Sequence, residues 1–476
     1  MLGSSDAIVE ANRPSPPFVS ENIMRKLTLI PFGVMAFAMA CADSEVTAPR
    51  KAAAGRPSFT LSPTPERTFV YVANTSSNNV SVIRTSDNAV VATIAVGENP
   101  RGVGITPTGG RVYVANRSSD NVSVIRTSDN TVIATIPVGQ DPQDVAVAPD
   151  GGRVYVLNAT DGSISVVRTS DNTVVATIDV GDVASTMAIT PDGSELFVNR
   201  GVNSDGGVLG TVTTHYTSAI RTSDYSVRAS ITWFLKSAIN VAILHDGTRA
   251  YLPNFGGLPP SGSLRVIRTG DLGDLASLSL SGLFSPGKVS ITPNDAYAYL
   301  VDPGMANFNG GCSPGGIQII PTSTNTIETT VSVSCFPSDI VFSLDGALAY
   351  VSNTAPDRTG NVTLISTSQK AVVGSVPVGT APTGLAIGFV PTPSQLMDEL
   401  EDDLRSLELA DGFEGSLLTK LTSALNAIQT GKTRAACGAL QDFVSQVMAQ
   451  SGKKIAAADA TLLINLASQV RELIGC

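Results

Sequence analysis

Histidine and tryptophan are nearly absent from this chain of 476 residues, which contains two His and one Trp. Imidazole is the usual protein ligand of copper, zinc and iron, so two His argue against a multi-histidine metal centre. We expect no metal and no other cofactor. Basic residues number 31 against 41 acidic ones, and the net charge of -10 argues against nucleic-acid binding, which needs a basic surface.

The N-terminal part has no apolar run long enough to cross a membrane. The run Leu27–Ala40 has 14 residues, whereas a spanning helix needs about 20. It follows Met24 and two basic residues, as the apolar region of a secretory signal does, and Cys41 after it resembles the lipidated cysteine of bacterial lipoproteins. We predict that residues 1–41 are an upstream extension plus a signal peptide from Met24, and that 42–66 are a Pro/Ala/Ser linker.

These features predict an exported protein of the bacterial cell envelope. Lipidation of Cys41 would anchor it, so that membrane contact occurs only through this N-terminal lipid. Ordinary cleavage, giving a secreted or periplasmic protein, is the alternative, because the first lipobox position, usually Leu, is Ala38.

Short apolar segments that mostly end in Asn recur through the middle of the chain. They begin at Tyr71, Tyr113, Tyr155, Phe197, Tyr251, Tyr299 and Tyr350. Each unit holds four short strands rich in Val and Ile, separated by turns of Gly, Pro, Ser, Asp and Asn. Four strands in about 40 to 45 residues are typical of a β-propeller blade. The sequence therefore predicts a mainly β fold, with a seven-bladed β-propeller over residues 67–391.

The unit RVYVANRSSDNVSVIRTSDN, residues 111–130, resembles the YVTN family of bacterial and archaeal propeller repeats. Five repeats depart from that family by having Arg where it usually has Asp, and each Arg is followed three residues later by Asp. The Arg residues are Arg84, Arg126, Arg168, Arg221 and Arg268. We interpret them as local ion pairs across outer hairpin turns, and a basic ring for an anionic partner is the other possibility.

The ring must be closed by a strand from one end of the propeller. The first repeat starts at its second strand, and the missing inner strand occurs at 382–389. Pairing it into the first blade satisfies backbone groups at both open edges, so we predict closure by strand 382–389.

The connections between second and third strands are longer in blades four to seven than in blades one to three. We predict that they crown one face of the propeller, although exposed loops also grow without function. The crown residues are His215, Tyr216, Pro259, Pro260, Met305, Phe308 and Arg358.

The same face carries the mouth of the central channel, which the residues just before each inner strand would line. The predicted ligand-binding residues there are Arg101, Asp144, Asn240, Lys288 and Asp339. This is a mixed polar ring and not a metal cage. It fits a small polar ligand or a peptide.

The sequence assigns no catalytic residue. Residues 311–315 (GCSPG) match the nucleophile-elbow pattern G-x-S-x-G, which requires a strand-turn-helix context and a His after the Ser. Both His precede this segment, so we interpret the match as accidental. Propeller lactonases and lyases use acids, His, Arg or metals at the channel mouth. Asp144, Asp339, Arg101 and Lys288 are the candidates in that alternative, although nothing in the sequence shows that they converge.

Five Cys are consistent with export to an oxidising compartment. Besides Cys41, we predict disulfides that stay within one domain, Cys312–Cys335 and Cys437–Cys476, with free thiols as the alternative.

The composition changes after residue 391 to Leu, Ala, Glu and Lys at helical spacing, which predicts a small all-α bundle over 392–476. Thr392 and Gln395 form a capping-box pattern at its start. The predicted helices are 393–410, 414–429, 433–450 and 456–474. The run 439–464 resembles the FIMAH-type helical domain of exported bacterial proteins, which implies an accessory role.

Three functions fit these features. We expect a non-catalytic, envelope-anchored scaffold that presents its crowned face to an envelope or extracellular protein, a glycan or a small ligand. A propeller enzyme of the lactonase or lyase type, acting at the channel mouth, is the alternative. A structural surface-layer component is the second alternative.

Overall fold

The computed structural model describes residues 67–205, 211–233, 236–256, 261–281, 286–304, 312–407 and 409–476. The predicted signal peptide, Cys41 and the linker lie outside these ranges, as do four crown residues, Pro259, Pro260, Met305 and Phe308. Among the helices described, none combines the length and apolarity that membrane spanning requires.

The described strands form seven antiparallel sheets, one for each blade. Blade one contains Thr68–Asn74 (β1), Asn79–Arg84 (β2) and Ala89–Ala95 (β3). Blade two contains Pro100–Ile105 (β4), Arg111–Asn116 (β5), Asn121–Arg126 (β6) and Thr131–Pro137 (β7). Blade three contains Pro142–Val147 (β8), Arg153–Asn158 (β9), Ser163–Arg168 (β10) and Thr173–Asp179 (β11). Blade four contains Val183–Ile189 (β12), Glu195–Asp205 (β13), Thr211–Arg221 (β14) and Val227–Trp233 (β15).

The remaining blades complete the ring. Blade five contains Lys236–Ala238 (β16), Ala242–Ile243 (β17), Arg249–Gly256 (β18), Ser261–Arg268 (β19) and Asp274–Ser281 (β20). Blade six contains Val289–Ile291 (β21), Tyr297–Asp302 (β22), Gly316–Pro321 (β23) and Thr329–Ser332 (β24). Blade seven contains Pro337–Phe342 (β25), Leu348–Thr354 (β26), Gly360–Ser366 (β27) and Ala371–Val378 (β28). The seven-bladed propeller predicted from the sequence is confirmed.

The last strand, Pro382–Phe389 (β29), is the inner strand of blade one. It pairs antiparallel with β1, with Val70 opposite Ile387 and Val72 opposite Leu385. Inner strands of neighbouring blades contact one another in a closed circuit that runs through β29, β4, β8, β12, β17, β21 and β25. The first and last segments of the propeller therefore share one sheet.

The core lies between neighbouring blades, where each pair of sheets buries an apolar cluster. Between blades one and two, for example, Tyr71 and Val82 pack with Val112 and Val114. Strands β1 and β5 read as continuous apolar runs because both of their faces are covered by neighbouring blades.

The Tyr of the repeated segment links blades that follow each other around the ring. Tyr350 of blade seven donates a 3.0 Å hydrogen bond to Asn88 of blade one, and Tyr251 of blade five donates a 2.8 Å bond to Asn325 of blade six. Blade four has Phe197 instead, and it packs in one cluster with Leu272, which occupies the Asn position of blade five. At the boundary between blades four and five, an apolar contact therefore replaces the hydrogen bond.

Blade four corrects the expectation of a longer loop. Its second and third strands, β13 and β14, have 11 residues each and pair from Glu195 opposite Arg221 to Asp205 opposite Thr211. Much of the added length therefore extends a β-hairpin above the blade, because alternating Val and Thr continue the strand pattern.

The C-terminal part forms four helices, Pro393–Ser406 (α1), Asp411–Gln429 (α2), Thr433–Gln450 (α3) and Ala457–Leu473 (α4). They bury one apolar cluster that includes Leu400, Leu417, Phe443 and Leu466. The capping box is present, since Gln395 N donates to Thr392 Oγ1 and Thr392 N donates to Gln395 Oε1. Helix α1 ends at 406, before the predicted 410, and the backbone N–H of Leu407 bonds carbonyls of its last turn.

Both predicted disulfides are present. Cys312 is bonded to Cys335 within blade six, and Cys437 of α3 is bonded to Cys476 at the end of the described chain.

Candidate functional site

Inner strands carry a register shift at the point where they reach the channel mouth. The shift lies between Pro142 and Asp144 in blade three and between Pro337 and Asp339 in blade seven. A bulge turns the following side chain away from the regular alternation of a strand and is common beside functional sites. In these two blades the residue that follows the shift, Asp144 or Asp339, lines the mouth.

Aligning the inner strands gives one mouth position per blade. From blade one to blade seven its occupants are Gly384, Gly102, Asp144, Thr186, Asn240, Lys288 and Asp339. All seven line one cavity of about 330 Å3. Arg101, next to Gly102, also lines it, so the structure brings all five predicted ligand-binding residues together.

The two glycines are residues of the site that sequence reasoning missed. A Cβ on Gly384 would lie 1.8 Å from the carbonyl oxygen of Arg101, and one on Gly102 would lie 2.7 Å from Cα of Asp144. The inner strands of blades one to three therefore approach too closely for a side chain. The sequence did contain a signal for Gly102, because Gly102 stands at the repeat position that Asp144 occupies in blade three.

Carboxylates and an amide at the mouth bind the backbone of the next blade. Asp144 Oδ2 accepts from Met187 N at 3.0 Å, and Asp339 Oδ2 accepts from Leu385 N at 2.9 Å. Asn240 Oδ1 accepts from Val289 N in the same way, also at 3.0 Å. These side chains therefore join neighbouring inner strands.

Lys288 and Asp339 form an ion pair across the blade six–seven boundary, with Nζ 2.8 Å from Oδ2. The Asp339 side chain is 2% exposed and that of Lys288 is 38% exposed. Burial raises the pKa of the Asp339 carboxyl against the opposing effect of Lys288. Burial lowers the pKa of Lys288, but the Asp339 and Asp144 carboxylates more than offset this, and its pKa is raised. The ammonium is therefore the accessible member of the pair.

Asp144 is the more accessible of the two carboxylates. Its Oδ1 accepts from Val145 N at 3.0 Å, and its Oδ2 accepts from Thr186 Oγ1 at 2.9 Å and from Met187 N. A carboxylate offers about four lone-pair sites. These three bonds leave one site for a water or a ligand hydroxyl.

Arg101 supplies a second cation at the mouth. Its Nη1 donates a 3.3 Å hydrogen bond to Gln143 Oε1. Gln143 in turn donates to Asp141, which pairs with Arg117. Burial, together with the nearby Arg117 guanidinium, lowers the pKa of Arg101 from its usual value. The mouth thus combines two cations with an available carboxylate oxygen.

Of the crown residues, His215 and Tyr216 line a small cavity of about 30 Å3 beside the mouth. Ser185 lines both cavities. Arg358 lies in a turn of blade seven with a positive φ of 69°. The base of the blade-four hairpin therefore adjoins the mouth.

The Arg residues of the outer turns mostly form local ion pairs, as interpreted from the sequence. Arg84, Arg126, Arg168 and Arg268 each pair with the Asp three residues later. Arg221 instead donates to Ser226 Oγ. Because these pairs are exposed to solvent, they contribute little to stability.

The remaining chemical candidates do not form a centre. Within the ranges that the structure covers, no three His, Cys, Asp or Glu side chains gather in a way that could hold a metal ion. Cys312, in the segment with the nucleophile-elbow pattern, is bonded to Cys335. No helix follows Ser313, since the next element is strand β23.

Comparison with known proteins finds a family match over part of the propeller. The family model "Lactonase, 7-bladed beta-propeller" matches residues 35–134. Among curated proteins, no sequence matches the chain.

Solved structures share the propeller fold at low identity. Hydrazine synthase of Kuenenia stuttgartiensis is 21% identical, with 64% of this chain and 94% of that chain covered and a TM-score of 0.56. A candidate 6-phosphogluconolactonase of Bacteroides fragilis is 15% identical (68% and 99% covered, TM-score 0.53). One from Bacteroides uniformis is 14% identical (68% and 100% covered, TM-score 0.52).

The lactonase match contradicts the expectation of a non-catalytic scaffold. It favours the alternative stated from the sequence, a propeller enzyme that acts at the channel mouth. Sequence reasoning alone could not show that the side chains at the mouth converge, because each one comes from a different blade. The folded ring brings them to one cavity.

Proposed function

We propose that this protein is a propeller hydrolase of the lactonase type, which opens a cyclic ester at the channel mouth. The observation that carries the proposal is that Asp144, with one free acceptor site, and Lys288, an accessible cation, line one cavity. The match of residues 35–134 to the lactonase family model supports the reaction class.

Asp144 would act as the general base. A water bound at its remaining lone-pair site attacks the ester carbonyl and transfers a proton to the carboxylate. The tetrahedral intermediate then collapses, the ring oxygen leaves, and it receives the proton to give a hydroxy acid. Three hydrogen bonds to Asp144 fix its orientation for both transfers.

Lys288 and Arg101 would stabilise the negative charge that develops on the carbonyl oxygen or is carried by the substrate. Asp339 is buried and holds Lys288, so it would position the cation without contacting substrate. Thr186 donates to Asp144 and would position its carboxylate.

The test is base consumption in a pH-stat with a panel of γ- and δ-lactones. We expect hydrolysis by the wild type and a loss of about 100-fold or more in kcat for Asp144→Asn. Asp150→Asn is the matched control, because this carboxylate caps a turn of the same blade by accepting from Gly152 N. Absence of hydrolysis with every lactone, or an unchanged kcat in Asp144→Asn, would contradict the proposal.

We further propose that the enzyme is exported and anchored by lipid at Cys41, with a YVTN-type propeller and a FIMAH-type helical domain. The two disulfides support an oxidising compartment. Metabolic labelling with a palmitate analogue tests the anchor. We expect label on the wild type and none on Cys41→Ser, and label retained by Cys41→Ser would refute the anchor.

A further inference from the structure

Trp233, the single tryptophan, begins a series of buried hydrogen bonds. Trp233 is 6% exposed and lies at the end of β15. Its Nε1–H donates to Thr217 Oγ1 at 2.9 Å, and Thr217 donates to Asn199 Oδ1 at 2.6 Å. Three strands of blade four, β15, β14 and β13, each contribute one member.

The series continues across the blade boundary to the mouth. Asn199 Nδ2 donates to the carbonyl oxygen of Asn240 at 3.0 Å. Asn240 Nδ2 then donates to Thr186 Oγ1 at 3.4 Å, and Thr186 donates to Asp144 Oδ2 at 2.9 Å. Every donor points in the same direction, from Trp233 toward a carboxylate. The two parts of this series are joined covalently within Asn240, whose backbone carbonyl accepts one bond and whose side-chain Nδ2 donates the next.

The other blades lack this arrangement. Counted back from the Arg that ends the third strand, blade four has Thr217 where blades one to three have Val80, Val122 and Ile164. At the position of Trp233 those blades have Val96, Val138 and Val180. Their Asn side chains also bond within their own blade, as Asn74 Nδ2 does with Ser81 Oγ.

Blade four thus differs from the other repeats at three residues, whose hydrogen bonds all lead toward Asp144. Blade four replaces two apolar residues by Thr217 and Trp233, and its Asn199 turns its Nδ2 to the next blade. Buried polar groups are costly unless they are satisfied. Blades one to three fold with Val or Ile at the positions of Thr217 and Trp233, so folding does not require the residues that blade four has there.

We infer that Trp233, Thr217 and Asn199 are positioning residues, which hold Asn240 and, through Thr186, the Asp144 carboxylate in fixed orientations at the mouth. The kinetic part of this inference rests on the proposed function. The structural part does not, because it concerns the coupling between Trp233 and Asn240 in the protein without substrate.

The structural part is tested by the fluorescence of Trp233, which no other tryptophan obscures. Asn240→Ala removes the two side-chain hydrogen bonds of residue 240, which join it to Val289 N and to Thr186 Oγ1. The indole of Trp233 bonds to Thr217 and not to Asn240, so a change in its emission reports coupling through the residues between them. We expect a red-shifted emission and faster acrylamide quenching. Asp339→Asn is the matched control, since it alters the equivalent mouth position of blade seven, and we expect the wild-type spectrum. Wild-type emission in Asn240→Ala overturns the inference. If this variant does not fold, Asn240→Asp replaces it, because it keeps the acceptor for Val289 and loses the donor to Thr186.

The kinetic part compares three variants with a lactone that the wild type hydrolyses. Thr217→Val removes the hydrogen bonds of the Thr217 hydroxyl to Trp233 and Asn199, and we expect it to lower kcat/KM about tenfold. Thr217→Ser should retain the wild-type value. Thr363→Val, which removes a buried Thr–Asn bond confined to blade seven, should leave kcat/KM unchanged. Equal losses in Thr217→Val and Thr363→Val overturn the positioning role. A wild type without lactone hydrolysis contradicts only the proposed function, since the fluorescence result stands alone.

Discussion

Nζ of Lys288 lies 2.8 Å from Oδ2 of Asp339, and the two residues belong to neighbouring blades. The carboxylate side chain is 2% exposed, and it also accepts from the backbone N–H of Ile340 and Leu385. Asp339 therefore holds together β25, the closing strand β29 and the cation of blade six. Asp339 thus contributes both to the stability of the ring and to the placement of the cation at the mouth.

Lys288→Met should destabilise the propeller. It leaves the buried Asp339 carboxylate without its cation, and leaving a buried polar group without a partner costs about 1 to 3 kcal/mol. Thermal unfolding followed by circular dichroism measures this. The double variant Lys288→Met/Asp339→Leu should recover much of the loss, because it removes the uncompensated charge. A melting temperature equal to the wild type in Lys288→Met would contradict this account.

Gly384→Ala should prevent stable closure of the ring. The added methyl group would lie 1.8 Å from the carbonyl oxygen of Arg101, so β29 and β4 would have to move apart. We expect a drop in propeller stability of about 3 kcal/mol or more, or failure to fold, measured by urea unfolding. Gly412→Ala in α2 is the control, because a methyl group there meets nothing within 4 Å. Equal stability of the two variants would refute the prediction.

Tyr350→Phe should lower propeller stability by about 1 kcal/mol, because it removes the hydrogen bond to Asn88 across the blade seven–one boundary. Burial raises the pKa of Tyr350 to about 12, so its hydroxyl remains a donor at neutral pH. Phe197 in blade four shows that Phe fits the position. Adding Asn88→Leu to Tyr350→Phe should restore part of the stability, as Leu272 accompanies Phe197. Urea unfolding of the two variants decides it, and no loss in Tyr350→Phe would refute it.

The helical domain should lose stability as the pH rises from about 4.5 to 7. Glu399 in α1 is 9% exposed, its Oε2 has no hydrogen-bond partner within the described ranges, and burial together with Asp403 and Asp402 raises its pKa from 4.5 to about 7. Between these values the folded state binds a proton that the unfolded state has lost, so acidification stabilises the fold. Glu399→Gln should be more stable than the wild type above pH 7, by about 2 kcal/mol, in thermal melts. The gain should vanish near pH 4, and a gain that does not change with pH would contradict the assignment.

Much of the fold could be predicted because its information is local. Each blade carries its own strand alternation and turn residues, as in Arg111–Asn116 followed by Asn121–Arg126. The helix start at Thr392 was likewise encoded within four residues. Helix ends were predicted less accurately. Side-chain spacing alone predicted that α1 continues to 410, but it ends at 406.

The candidate site could be predicted only as a set of positions. Asp144, Asn240, Lys288 and Asp339 share one place in the repeat, so ring symmetry puts them at one mouth. Their roles could not be predicted, because these depend on which neighbour each one meets.

The sequence by itself determined the number of blades, the closing strand and the helical module, because short-range periodicity specifies them. Cysteine placement allowed two disulfides within single domains or free thiols, and the structure has both disulfides. The tertiary structure decided that Asp339 is buried beneath Lys288 while Asp144 keeps a free acceptor site. It also decided that Trp233 is linked to Asp144 through four intervening residues. Those outcomes depend on the direction of donors and the burial of charges between blades, which arise only when segments distant in sequence pack around the ring.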